Sequence, residues 1–173
     1  MKRNWKSGPV ISGVWTVLRV WLGIQWVMGG WSKLTSGEFN AGGFIQGAIA
    51  NAGGDHPAVQ GWYASFLENV ALPNADLFSF FVQWGELLVG IGLILGVATI
   101  PALIAGAFMN LNFLLAGTVS TNPVYYTIAI ILLFAGTGAY NYGVDRFVLP
   151  FIKAGMGKFK GKGKVYRKRE IAH

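Results

Sequence analysis

The chain has 173 residues, 53% of them hydrophobic and 12% charged, with a net charge of +7. That charged fraction is about half of what a soluble domain carries, and with 25 Gly, 7 Trp and 12 Phe it points to a polytopic membrane protein. The absence of cysteine excludes disulfides, thiolate metal sites, CxxC redox chemistry and cysteine nucleophiles.

Of the 14 Lys and Arg, nine lie at or after Arg146 and three lie among the first six residues. Basic clusters that flank apolar spans are an orientation signal for the cytoplasmic side and argue against nucleic acid as a partner. Met1 to Pro9 is such a basic lead. The apolar run after it is too long for a signal peptide and lacks a small-x-small cleavage site. Val10 to Trp31 is the first predicted membrane helix (residues 10–31), with Arg19 and Gln25 inside it. Lys33 follows, at a position where a long amine can snorkel to water.

Residues 35–76 form the longest connection, acidic and free of Lys and Arg, as expected of an extracytoplasmic loop. Two short interfacial helices are predicted in it, Ala41 to Asn51 and Pro57 to Val70. In the second, Val59, Trp62, Tyr63, Phe66 and Val70 share one face. This loop is read as a lid over the outer end of the helices. A second span follows at residues 77–98, and then almost no loop before a third at 102–119, so these two form a tight antiparallel hairpin. After the turn STNP the fourth span covers 124–142. The fold class is thus all-α, an integral membrane four-helix bundle. Both termini are expected on the cytoplasmic side, with residues 1–150 as one transmembrane domain and 151–173 as a basic cytoplasmic tail. Anionic lipid is the simplest contact for that tail.

The second span contains one ionisable residue, Glu86. A carboxylate in hydrocarbon is costly and faces protein or water, with a partner. Arg19, the only charge inside the first span, is the candidate partner. At about 1.5 Å per residue, Arg19, Glu86, Asn110 and Asn112 all come close to the midplane. Gln83 and Glu86 share a face that Gly90 continues, and Trp15, Arg19 and Trp26 share a face of the first helix. Asn110 lines up with Gly106, Phe113 and Gly117. Aromatic walls, small residues and a few oriented polar groups suit a pocket for a flat, largely apolar molecule with carbonyls, and a quinone headgroup fits. In this reading Arg19 polarises a carbonyl and Glu86 relays a proton. Asn110, Asn112 and Gln83 orient the headgroup, and Trp15, Trp26 and Trp84 wall it. The bland reading makes Arg19–Glu86 a salt bridge that fixes helix register, with the asparagines as interhelical glue. For Trp5, Trp31, Trp62 and Trp84 an interfacial belt is the simpler role. No span holds a histidine for haem, and no cluster supports a metal site.

The stretches LRVWLGIQWVMGGWSKL (Leu18 to Leu34), GGFIQGAIAN (Gly42 to Asn51), WYASFLENVALPNADLFSFFVQWGELLVGIGLILG (Trp62 to Gly96) and MNLNFLLAGTVSTNP (Met109 to Pro123) resemble the DoxX/DoxD family of prokaryotic membrane proteins. The family's pattern falls on Arg19, Gly30, Lys33, Gly85, Glu86, Gly90, Asn110 and Asn112. The resemblance implies a four-helix protein of the cytoplasmic membrane, linked to a thiosulfate:quinone oxidoreductase and to menaquinone or ubiquinone. It also implies a second subunit that binds the electron donor, since this chain lacks a cysteine for a thiosulfonate adduct and its outer loop is acidic. Two rival readings are a proton-coupled transporter centred on Glu86 and a non-catalytic assembly subunit. Self-association stays open in each.

Overall fold

The computed structural model describes residues 8–152. The basic lead with Trp5 and the lysine-rich tail lie outside the described residues. Within them the chain is all-helical, with seven α-helices up to Tyr140 and no strand. These are α1 (Pro9–Ser36), α2 (Ala41–Ala50), α3 (Gly61–Phe66), α4 (Ala75–Leu95), α5 (Thr99–Leu115), α6 (Asn122–Ala135) and α7 (Thr137–Tyr140). Two helical runs are long and apolar enough to cross a membrane, Pro9–Ser36 and Gly61–Leu95.

α1 begins where Pro9 occupies a first-turn position that needs no N–H, and it ends at Gly37, whose φ of 66° terminates the helix. It therefore runs five residues past the predicted end at Trp31. α2 starts at Ala41 as predicted and ends one residue early, its start set by the Asn40 side chain, which accepts a hydrogen bond from the Gly42 N–H at 2.6 Å. The second lid helix differs more. It starts at Gly61 and not at Pro57, and it does not end before the next span. A π-helical turn, Leu67–Ala71, and a 3-10 turn, Leu72–Asn74, carry it without a loop into α4. The π-turn adds a residue to the helical repeat, so the buried stripe reads Val59, Tyr63, Leu67, Ala71. Trp62 and Val70, expected on that face, are exposed.

α1 packs along α4 and also meets α6, while α5 packs on α4 and α6. Glycines set the α1–α4 approach. A Cβ on Gly30 would lie 2.7 Å from the Leu87 nitrogen, and one on Gly90 would lie 2.6 Å from the Val27 nitrogen. Any larger residue at either place forces the two backbones apart. The α4–α5 hairpin is as tight as expected, closed by Gly96 at a φ of 67°. The fourth predicted span is interrupted, because α6 stops at Gly136 (φ 57°) before α7 begins. Residues 145–152 are helical again.

Two apolar clusters result. One joins α1, α4, α5 and α6 through Leu22, Trp26, Leu93, Leu103 and Leu132. The other lies under the lid around Ile45, Val59, Tyr63, Leu67 and Ala71.

Candidate functional site

A cavity of about 760 Å³ opens where the two clusters meet. α1, α4 and α5 wall it, α2 and the α3–π segment cover it, and the α5–α6 turn closes one end. Most of its lining is apolar and aromatic, including Phe39, Phe44, Phe66, Phe78 and Phe113. The polar groups are few and specifically placed, as in a small-molecule site.

Glu86 lines the cavity and is buried. Its partner is Lys33, whose Nζ donates to Glu86 Oε2 at 2.7 Å. Lys33 leans inward from the last turns of α1, and its side chain keeps 27% exposure against 4% for Glu86. A second interaction ties the same two helices, since Gln83 Nε2 donates to the Lys33 carbonyl at 3.4 Å. A Cβ on Gly29 would lie 3.2 Å from Glu86 Oε2, so the small residue there makes room for the ion pair.

On α5, Asn110 is 0% exposed and lines the cavity, and neither atom of its side-chain amide has a hydrogen-bond partner. Trp26 Nε1, also in the lining, is unpartnered as well. Burying such groups without partners costs roughly 1–3 kcal/mol each, and here they border open space. Asn112 is already engaged. It accepts from the Tyr63 hydroxyl at 3.0 Å, which pins the lid to α5, and its Nδ2 donates to the Phe108 carbonyl at 2.8 Å. Across the cavity the Tyr125 hydroxyl donates to Gln25 Oε1 at 3.2 Å.

Arg19 is elsewhere, and the expected Arg19–Glu86 pair does not form. Its guanidinium is buried against Gly96 and Gly143, and Nη2 donates to the Tyr142 carbonyl at 3.0 Å. Gly96 follows Glu86 by ten residues, about 15 Å along a helix, so Arg19 meets α4 at its C-terminal end. Counting depth from helix ends misplaced it, because the glycine contacts, not the ends, fix the register of α1 with α4. Beside Arg19, Asp145 accepts from the Ala98 and Thr99 N–H groups at 2.8 and 2.7 Å and so caps α5. Its own N–H donates to the Gly96 carbonyl at 2.8 Å.

The structure therefore brings together Glu86, Asn110, Asn112 and Trp26, with Gln83 just behind. It leaves out Arg19. It also leaves out Trp15, which packs on the main core with Nε1 buried, and Trp84, which is 43% exposed beside Phe80. Sequence reasoning missed Lys33, Tyr63 and Tyr125 as site groups. Lys33 lies 14 residues beyond Arg19 on the stripe that also carries Trp26, so helical spacing alone would have found it. Among the described residues no group of His, Cys, Asp or Glu is arranged to hold a metal ion.

The chain belongs to the DoxX family, whose sequence model matches residues 14–119, from α1 to beyond the end of α5. That span takes in every polar group of the cavity except Ser120, Thr121, Asn122 and Tyr125. The chain is thus a DoxX-family membrane protein. No curated protein and no solved structure matches it.

Proposed function

We propose that this DoxX-family protein is the membrane subunit of a quinone-linked oxidoreductase and that its cavity holds the quinone headgroup. The observation that carries the reading is Asn110, fully buried with both amide atoms free, in a cavity lining that also holds Trp26 with its Nε1 free. A flat ring with carbonyl oxygens answers those donors, and the phenylalanine lining answers its faces. Bound there, a quinone supplies reversible two-electron, two-proton chemistry. The chain supplies orientation and proton handling. Asn110 and Trp26 are the residues that would hold the guest, each offering a free N–H donor. Glu86 is the one carboxylate in the lining, and Lys33 connects it to the exposed rim. The role first assigned to Arg19 passes to Lys33.

In this reading α1, α4, α5 and α6 form a transmembrane four-helix bundle with both termini cytoplasmic. The basic ends and the lysine-free acidic lid support that orientation. A partner subunit delivers the electrons. The Lys33–Glu86 ion pair weighs against a cation-coupled transporter, whose carboxylate must be free to take its substrate.

Solvent extraction of the purified protein followed by mass spectrometry tests the reading. The expected result is an isoprenoid quinone at about one per chain, and its loss from Asn110→Leu. Quinone-free wild-type protein that also fails to bind added quinone would overturn it.

A further inference from the structure

The cavity is not sealed on all sides. Three of its seams carry polar latches. The lid is held by Tyr63 on Asn112 and by the Ala41 N–H donating to Ser79 Oγ at 2.8 Å. The α1–α4 seam holds the Lys33–Glu86 pair, and the α1–α6 seam holds Tyr125 on Gln25 with Trp21 edge-on to the Tyr125 ring at 5.9 Å. The fourth seam, between α4 and α5, is different. No side-chain hydrogen bond joins those two helices among the described residues, and two cavity-lining side chains on it are largely exposed, Phe81 at 58% and Phe108 at 66%. Beside them Ala105 lines the cavity and is exposed too, and Met109 lies against Gly85, where a Cβ would meet its sulfur at 3.2 Å. Met28 on α1 (62%) and Phe44 on α2 (38%) also face both the cavity and the outside, but the seams of those helices carry the latches above. At the α4–α5 seam the outward side is the apolar flank of α4, part of a run long and apolar enough to cross a membrane, and of the shorter apolar α5, so in a bilayer the opening would face hydrocarbon and not water.

From this geometry we infer that the ligand is a tailed amphiphile whose apolar chain leaves the cavity between α4 and α5, past Phe81 and Phe108. A ring headgroup at Asn110 fills only part of 760 Å³, and the same lining includes Phe81, Phe108 and Met109. Phe81 and Phe108 are then specificity-determining residues. They select for an isoprenoid or alkyl chain, while Asn110 and Trp26 select the head. The inference rests on the headgroup reading above and adds the ligand's second half and its route. The competing route is the polar rim at the α5–α6 turn, where Thr118, Ser120, Thr121 and Asn122 also line the cavity and would admit a tail-less, water-soluble molecule.

The experiment compares two analogues with one headgroup, a methyl-substituted quinone and its decyl counterpart, by equilibrium binding to the protein in lipid nanodiscs. The variants are Phe81→Trp, Phe108→Trp and the pair combined. Narrowing the doorway should weaken the decyl analogue about tenfold, the scale of a crowded apolar pocket, with the methyl analogue unchanged. Equal loss of both analogues, or loss of neither, would overturn the doorway while leaving the headgroup site standing. Failure of both to bind wild-type protein would instead remove the headgroup site, and this inference with it. A decyl analogue with a diazirine at the tail end gives a readout on unmodified protein. Labelling at Phe81, Ala105 or Phe108 is expected, and labelling confined to Thr118 to Asn122 would overturn the route.

Discussion

The protein buries polar groups at two places, and they serve opposite ends. At the hairpin end, Arg19, Asp145, the Tyr142 carbonyl and the first N–H groups of α5 are packed among backbone atoms of Gly96 and Gly143. Arg19 Nε and Nη1 find no partner there, yet neither Arg19 nor Asp145 lines the cavity, and the groups join four chain segments. At the lid end, Lys33, Glu86, Asn110 and Trp26 border some 760 Å³. Both clusters contain a buried charge. What separates them is space, because an unpartnered polar atom beside a void can be satisfied by a visitor and one enclosed by backbone cannot. A buried charge in an apolar helix is therefore a weak marker of a site until its surroundings are known.

Mutations on the two sides should separate accordingly. The largest effect is expected at Glu86. Glu86→Gln should lower quinone turnover by a factor on the order of 10² or more, the range for removing a general acid or base, with membrane insertion unchanged. Wild-type turnover in that variant would take Glu86 out of proton handling and leave the two clusters functionally alike. Asn110→Leu should act in two directions. Quinone affinity falls about tenfold, while the empty protein gains roughly 1–2 kcal/mol because a buried unsatisfied amide is removed. Denaturation of quinone-stripped protein in detergent measures the second effect, and a destabilised variant would show that the amide has a partner in the folded protein.

The hairpin end should give the reverse pattern. Asp145→Ala removes the cap of α5 and should cost about 1 kcal/mol or somewhat more of stability, with quinone affinity unchanged in the folded fraction. A change in affinity would couple the two ends. The smallest effect belongs to Tyr63→Phe, which deletes the lid's hydrogen bond to Asn112. It should cost about 0.5–1.5 kcal/mol and be visible as faster amide exchange across Ala41–Ala50 and Gly61–Phe66. Unchanged exchange would mean that apolar packing alone holds the lid.

Much of the helical layout was legible in the residues. Apolar runs with Gly and Pro punctuation placed α1, α2, α4 and the α4–α5 hairpin within a few residues, since each boundary is set by local chemistry such as Asn40 at its cap or Gly37 and Gly96 at positive φ. The break at Gly136 was not legible, because a glycine in an apolar run does not announce its φ. The π-turn at Leu67–Ala71 was likewise hidden, and it moved the lid's buried face from Val70 to Ala71. Glu86, Asn110, Asn112 and Trp26, which line the cavity, were legible as candidates because polar atoms in an apolar stretch stand out. Their partners were not. Lys33 looked like an interfacial amine, and Arg19 looked like a midplane charge. Which of two cations meets a carboxylate depends on how far α1 slides along α4, and that is fixed by the close approach of Gly23, Gly30 and Gly90, a property of pairs that no single stretch displays.

The loop-free passage from lid to α4 has a mechanical consequence. Tyr63, which fastens the cover, and Glu86, which carries the acid, belong to one uninterrupted winding from Gly61 to Leu95. Their relative angular phase is kept by the wide turn between them, which takes up one extra residue. Deleting one residue from Leu67–Ala71 would return that turn to ordinary α-helix and leave the tyrosine and the glutamate nearly in phase. Deleting one from the regular α-helix between Ala75 and Glu86 would instead swing the tyrosine away from Asn112 by about 100°.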